Sequence, residues 1–467
     1  MKTPSGPHDP TRRRFVGQCC AAVGATGLLS ALAQLRVLGA VANPPAGDYK
    51  AIVCLFLAGG NDANNLIVPS DTAGYNAYAA GRGALALPRT GLLGVNVTAN
   101  DGHTYGLHPA MPELQALFNQ GRSTVMANVG TLCAPTTKAQ YNARSVPLPN
   151  QLFSHNDQQV EWQSSLSDRA FTTGWGGRLA DLVDAFNQNN AISMSISLNG
   201  QNSFQVGNTV AQYSVNPTGA VAMSGTATGT TTLAGVRTKA QSDLLAAQQP
   251  GLMETAFATQ TTSAISDSAL VSGFLSGNPT FSTVFPTTSL GSQLRTIARL
   301  IAAAPQLGLR RQVFFARVGG WDLHDDQVVA GNTGTGAHAN LLSDVSKSLA
   351  AFYNATVELG VGQMVTTFTA SDFGRTFNTN GDGSDHGWGS HHLIMGGALR
   401  GGQIYGRMPD WTINGPDDTG RGRWIPSTSV DEYSATMATW FGVSATNLPV
   451  VLPNIGRFAK PNLGFLG

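Results

Sequence analysis

Three short apolar runs, each breaking directly into glycine and acid, constrain this chain more than any other feature. Residues 51–57 (AIVCLFL) run into Ala58-Gly59-Gly60-Asn61-Asp62. Residues 312–318 (QVFFARV) run into Gly319-Gly320-Trp321-Asp322-Leu323-His324, and residues 363–369 lead through Ala370 into Ser371-Asp372. Apolar, β-branched runs bounded in this way read as buried strands. In open α/β sheets, ligands gather beyond the carboxyl ends of the strands. Three strands delivering Asp and His to one edge is the pattern of a metal site assembled from loops. The third loop is the richest: residues 371–392 (SDFGRTFNTNGDGSDHGWGSHH) hold three acids and three histidines, in a chain where only 12% of residues are charged.

Between these runs, strand and helix alternate. Residues 111–119 predict a helix after Pro109, 123–129 a strand, and 157–165 the start of another helix. From about 191 to 232 the chain turns to Ser, Thr, Gly and Asn with almost no charge, and 192–198 reads as a short strand. That stretch predicts a β-rich insertion or lid over about 191–290. Helical patterns follow at 236–249 and 292–304. Leu341, Leu342, Val345, Leu349 and Phe352 then repeat at helical spacing. Ser429-x-x-Glu432 is a capping box that opens a helix to Phe441, with Gly442 as its stop. The order predicts an α/β fold: a mostly parallel central sheet with helices on both faces.

The 467 residues and 42% hydrophobic content suffice for one large domain over residues 43–467. Net charge is +1, with no dense basic stripe outside the N-terminus, which argues against nucleic acid as a partner. Thr11-Arg12-Arg13-Arg14-Phe15-Val16-Gly17 reads as a twin-arginine signal, followed by a mildly apolar stretch at 19–32 and small residues at Ala40-Val41-Ala42. The stretch is shorter than the roughly 20 apolar residues a membrane span needs. Residues 1–42 are therefore expected to be a signal peptide that engages the twin-arginine export machinery. A periplasmic or secreted location follows, with no transmembrane segment in the mature chain. Cys19 and Cys20 fall inside the signal, while Cys54 and Cys133 read as core residues.

Several side chains could carry chemistry. Asp62, flanked by Asn61, is either a turn former or a ligand. Asp322 and His324, one residue apart on extended backbone, share a face and suit a borderline divalent ion. Asp325 and Asp326 are candidates to orient them. Asp372 opens the third loop, and Arg375 either clamps an anionic oxygen or pairs with a neighbouring acid. His386, beside Asp385 in the glycine-rich stretch, is a ligand candidate; of His391 and His392, one is expected to be structural. Ser154 precedes a helix, where it either caps the helix with Asp157 or acts as a nucleophile beside His155. Thr136 and Thr137 are weaker nucleophile candidates.

FLAGGNDANNLIVP, LHPAMPELQALF, LFSHNDQ, GGWDLHDDQ, SDFGRTFNTNGDGSDHGWGSHH and VDEYSATMATWFGV span nearly the full mature chain. Together they resemble the twin-arginine-exported bacterial family DUF1501, whose members are similar to the alkaline phosphatase and sulfatase superfamily. The resemblance implies an alkaline-phosphatase-like α/β fold with one or two divalent ions (Zn, Mn, Mg or Ca) beside a Ser or Thr nucleophile. It further implies hydrolysis of a small anionic phosphate or sulfate ester. One ion would take Asp322, His324 and His386; the other would take Asp62, Asp372 and Ser154. Asn61, His155, Asp385 and His391 would support them. The chain departs from the superfamily at Phe373, which stands where His or Asn is usual and cannot ligate. Two further readings remain: an inactive metal-binding or interaction protein on the same fold, and a metal-free serine esterase using Ser154 and His155.

Overall fold

The three apolar runs lie side by side. In the computed structural model, which describes residues 48–98, 101–187, 192–217, 219–220, 229, 231–247, 251–277 and 280–467, the strands are β1 (Lys50–Leu57), β2 (Ile67–Pro69), β3 (Leu93–Thr98), β4 (Thr104–Leu107), β5 (Ser123–Gly130), β6 (Ser195–Ser197), β7 (Tyr213–Asn216), β8 (Gly219–Ala220), β9 (Arg311–Val318), β10 (Val365–Ser371), β11 (Ser390–Gly396), β12 (Ile404–Gly406) and β13 (Thr428–Ser429). The signal expected at 1–42 lies outside the described residues. β1 is parallel to β10 on one side and to β9 on the other, with Leu57 opposite both Ser371 and Val318. All three carboxyl ends therefore open on one edge of the sheet.

The spatial order is β12-β5-β11-β10-β1-β9-β6-β7-β8, with β13 beside β5. The sheet is mostly parallel, as expected; β11 runs antiparallel to β10 and β5, and β8 antiparallel to β7. β2, β4 and β3 form a small separate antiparallel sheet. Residues Ala51 to Leu57 are each no more than 2% exposed. A strand buried on both faces needs a layer on each side, which is why it reads as an unbroken apolar run rather than an alternation. On one face, Trp175 packs 5.5 Å from Phe368 and 4.7 Å from Phe204. Truncating a buried ring of this size costs on the order of 3–5 kcal/mol. Leu290, Leu294, Ile297 and Ile301, all buried, form the apolar stripe of the helix Ser289–Ala302. Cys54 and Cys133 are buried, as core residues.

Two expectations shift. The strand expected at 363–369 starts at Val365, because residues Gly362–Met364 form a 3-10 turn. The segment expected as a β-rich insertion holds three short strands that extend the central sheet: β6 pairs with β9, and β7 with β6. Two helices follow, Leu233–Ala246 and Leu252–Gly277. The second was not anticipated, since its apolar residues form no single stripe and Leu252, Met253 and Phe257 are exposed. Among the described residues, no helix is long and apolar enough to cross a membrane.

Candidate metal centre

The site begins at Gly59, the second residue beyond β1. Its φ is +122°, and a Cβ there would lie 2.4 Å from the Asp322 nitrogen, so the β1 and β9 loops touch backbone to backbone. The third loop then folds back as a hairpin. Thr376 N–H donates to Asp385 O (2.8 Å), Gly387 N–H donates to Gly374 O (2.7 Å), and Arg375 bridges His386. His386 thus sits at the hairpin's stem, paired across it with Arg375. The fourth contributor is the helix His155–Ser164, which Ser154 precedes as N-cap residue.

Asp322, 45% exposed at its side chain, is the centre of the cluster. His324 Nε2 lies 3.1 Å and His386 Nε2 3.4 Å from its Oδ1, and His155 Nε2 lies 3.3 Å from its Oδ2. The Nε2 atoms of His324 and His386 are 3.0 Å apart. Ligand atoms of His155, Asp322 and His386 all fall within 4.8 Å of one another.

What makes this more than a crowd of polar groups is the other side of each ring. His155 Nδ1 lies 2.6 Å from Asp372 Oδ2, His324 Nδ1 3.1 Å from Asp385 Oδ1, and His386 Nδ1 2.7 Å from the Phe153 carbonyl. Each neighbour only accepts, so each Nδ1 carries the proton and donates. Three imidazoles therefore aim Nε2 inward, each with a lone pair free to accept a hydrogen bond, a second proton or a metal. Phe153 keeps φ +75° to present that carbonyl. His155 Nε2 is buried and makes no aligned hydrogen bond despite its closeness to Asp322.

Titration follows the same contacts. The hydrogen bond to Asp372 raises the His155 pKa against the opposing effect of burial. Burial lowers that of His386. Burial pushes the Asp322 carboxyl up, but the charges of Arg375 and His155 outweigh it and the net shift is downward. Arg375 donates from Nη2 to Asp322 Oδ1 (2.9 Å), while its buried Nε and Nη1 have no partner.

Asp322, His324, His386 and Arg375 lie together. His155, expected only in support, aims its own ring nitrogen inward. Asp385, one of the residues expected in support, lies against His324 Nδ1, whereas Asp325 and Asp326, also candidates to orient it, are exposed. Of the three carboxylates expected to ligate, Asp62 and Asp372 are engaged elsewhere. Asp372 Oδ1 accepts from Gly59 N–H and its Oδ2 from His155 and Gln159. Asp62 pairs with buried Arg82. Asn61 accepts from His338 Nε2 (3.1 Å). His391 Nδ1 accepts from Asn128 N–H and its ring faces Trp411, so it serves the core.

Ser154 does not cap through its side chain; Oγ donates to Asp157 Oδ2 at 2.6 Å. Thr137 is the capping residue of another helix, Lys138–Ala143, and Thr136 Oγ1 donates to Ala134 O. Both line a cavity of about 1190 Å³ with Arg407, Asp417 and Lys460, and none of the clustered histidines borders it. Arg82 and Gln327 were missed; nothing local in the sequence links either to Asp62, 20 and 265 positions away.

The fold and cluster define an α/β protein with a histidine–carboxylate centre at the strand ends. The chain belongs to the family described as a protein of unknown function, DUF1501, whose model matches residues 49–421. No curated protein matches it. Similar solved structures include the lipoteichoic acid synthase LtaP from Listeria monocytogenes (TM-score 0.35, 9% identity, 87% of this chain and 76% of that one). The PsFucS1 sulfatase from Pseudoalteromonas sp. gives TM-score 0.36 and 11% identity over 93% of this chain and 76% of that one. The C-terminal periplasmic domain of EcEptC from Escherichia coli, in complex with Zn, gives 0.38 and 11% over 91% and 94%.

Proposed function

We propose that this chain is an exported, metal-dependent hydrolase of phosphate or sulfate esters with Ser154 as nucleophile. One observation carries the reading: three imidazoles, each with Nδ1 committed to an acceptor, turn Nε2 toward one carboxylate. Acceptors behind metal-ligating histidines fix the tautomer and strengthen the ligand. A His/carboxylate donor set suits Zn²⁺ first and Mn²⁺ second. His155, His324, His386 and Asp322 would hold the ion, which when bound would polarise an ester oxygen.

The chain's own groups would do the rest. Ser154 Oγ, its proton already directed at Asp157, attacks phosphorus or sulfur. Asp157 takes the proton and returns it to the leaving oxygen as that bond breaks, so that the group departs as an alcohol. Arg375, with two buried donors unsatisfied, holds a non-bridging oxygen. Water then releases the group from Ser154. The twin-arginine segment supports a periplasmic or secreted site of action.

Purified protein given Zn²⁺ or Mn²⁺ should turn over an aryl phosphate or aryl sulfate and lose this with a chelator. Ser154→Ala should lower kcat at least about a hundredfold. Parental activity in both Ser154→Ala and His155→Ala would end the proposal. Phe373 favours a second reading. Its buried ring packs 4.8 Å from His155 and 4.6 Å from His386, an apolar wall where the superfamily would ligate. Metal bound tightly with no turnover of either ester would point to a non-catalytic metal-holding interaction protein.

A further inference from the structure

The family resemblance implies a second ion at Asp62 and Asp372, and these residues do not fit one. Asp62 is 2% exposed and both its oxygens are taken. Oδ1 accepts from Asn64 Nδ2 (3.0 Å); Oδ2 accepts from Gln327 Nε2 (2.5 Å) and from Arg82 Nη2. Arg82 is itself fully buried and locked from three further directions. Its Nε donates to Asn65 Oδ1 (2.9 Å), and Nη1 donates to the carbonyls of Thr376 (3.1 Å) and Phe377 (2.8 Å). Tyr78 holds the same Asn65 oxygen from above. On the other side, the Asp372 oxygens are spent on Gly59, His155 and Gln159. Next to Asp372 stands Phe373, its ring edge so close to Gly60 that a Cβ there would meet it at 2.7 Å.

We infer that this chain binds a single catalytic cation, and that Arg82 permanently occupies the electrostatic role a second ion would play at Asp62. The inference rests on reading the His155–Asp322–His324–His386 cluster as a metal site. A guanidinium keeps its charge at any physiological pH and cannot be displaced as a proton is from a thiol or imidazole. A divalent ion approaching Asp62 meets a neutralised carboxylate, a fixed positive charge in low dielectric, and a phenyl ring in place of a ligand. Activation of the nucleophile then falls to Asp157, which accepts the Ser154 hydroxyl proton as a general base.

The test is metal stoichiometry. Full-length protein stripped with a chelator is titrated with Co²⁺, read by its visible absorption, and with Zn²⁺, read by elemental analysis after dialysis. One equivalent should saturate the signal. Asp62→Asn should bind the same one equivalent with an affinity within about threefold of the parent, whereas His386→Ala should lose the signal. Two saturating equivalents in the parent, or loss of an ion in Asp62→Asn, would overturn the single-ion inference while leaving the hydrolase reading intact. No bound ion would overturn both. Should Asp62→Asn not fold, the stoichiometry of the parent decides alone.

Discussion

At the residue scale, the centre is decided by what stands behind each imidazole. His155 shows it best. Asp372 raises its pKa, so without metal the ring tends to hold a proton on Nε2, the atom a cation needs. Metal loading must displace that proton. The sign follows: above the raised pKa the site is open to metal; below it, protons compete. Affinity for Zn²⁺ should fall by about tenfold for each pH unit below that point, because one proton is exchanged per ion. Titration calorimetry in buffers of different ionisation enthalpy reads the released proton directly. A proton count of zero at pH 6 would exclude His155 as a ligand. His386, whose pKa burial lowers, adds little to this competition.

At the element scale, the sheet does the gathering and glycine sets the tolerance. β1, β9 and β10 end in register, so their loops share one edge, and Gly59 lets two of them touch. Gly59→Ala adds a methyl group at φ +122° against the Asp322 amide. It should cost more than about 1 kcal/mol in stability and, by pushing Asp322 away, should weaken Co²⁺ binding. A thermal melt and a Co²⁺ titration on the same sample check both. A variant with the parent's affinity would show that the loops do not set the site. This level was the most legible in the sequence. The three strands and the Val430–Phe441 helix with its capping box follow from period, caps and turn residues. Such signals are local. The partner of Asp62 was not legible, because an Arg inside the helix Thr72–Arg82 reads as a solvated charge until the fold buries it. Nor was the orientation of His155 legible, since it depends on Asp372, in a loop 217 positions away. The helix Leu252–Gly277 escaped for the opposite reason: its exposed apolar residues obey no period.

At the scale of the whole molecule, groups buried away from the centre should set how stability depends on pH. Burial lowers the pKa of His108 and His391 to about 4 and of His392 to about 3, against an ordinary value of 6.5. The unfolded chain therefore binds protons that the folded chain refuses. Stability carried by these rings is intact above 6.5 and is lost as pH falls toward their folded values. Burial raises Asp431 to about 7 and Glu161 to about 8, so their contribution is intact at low pH and is lost as pH rises through those values. Between pH 4.5 and 6.5 the histidines outnumber the acids and stability rises with pH; above 6.5 only the acids remain and it falls. With metal removed by chelator, the melting temperature should peak near pH 6.5. Each group contributes at most about 1.4 kcal/mol per pH unit, so single replacements are resolvable. His392 packs 4.7 Å from Trp162 with its Nε2 unpartnered, so His392→Phe keeps the ring contact and removes a proton site. Its acid limb should be shallower than the parent's, with the alkaline limb unchanged. Glu161→Gln should do the reverse, flattening the fall between pH 6.5 and 8. A melting temperature that keeps climbing through pH 8 in the parent would mean these acids ionise without cost, and that the buried charge around Glu161 is compensated.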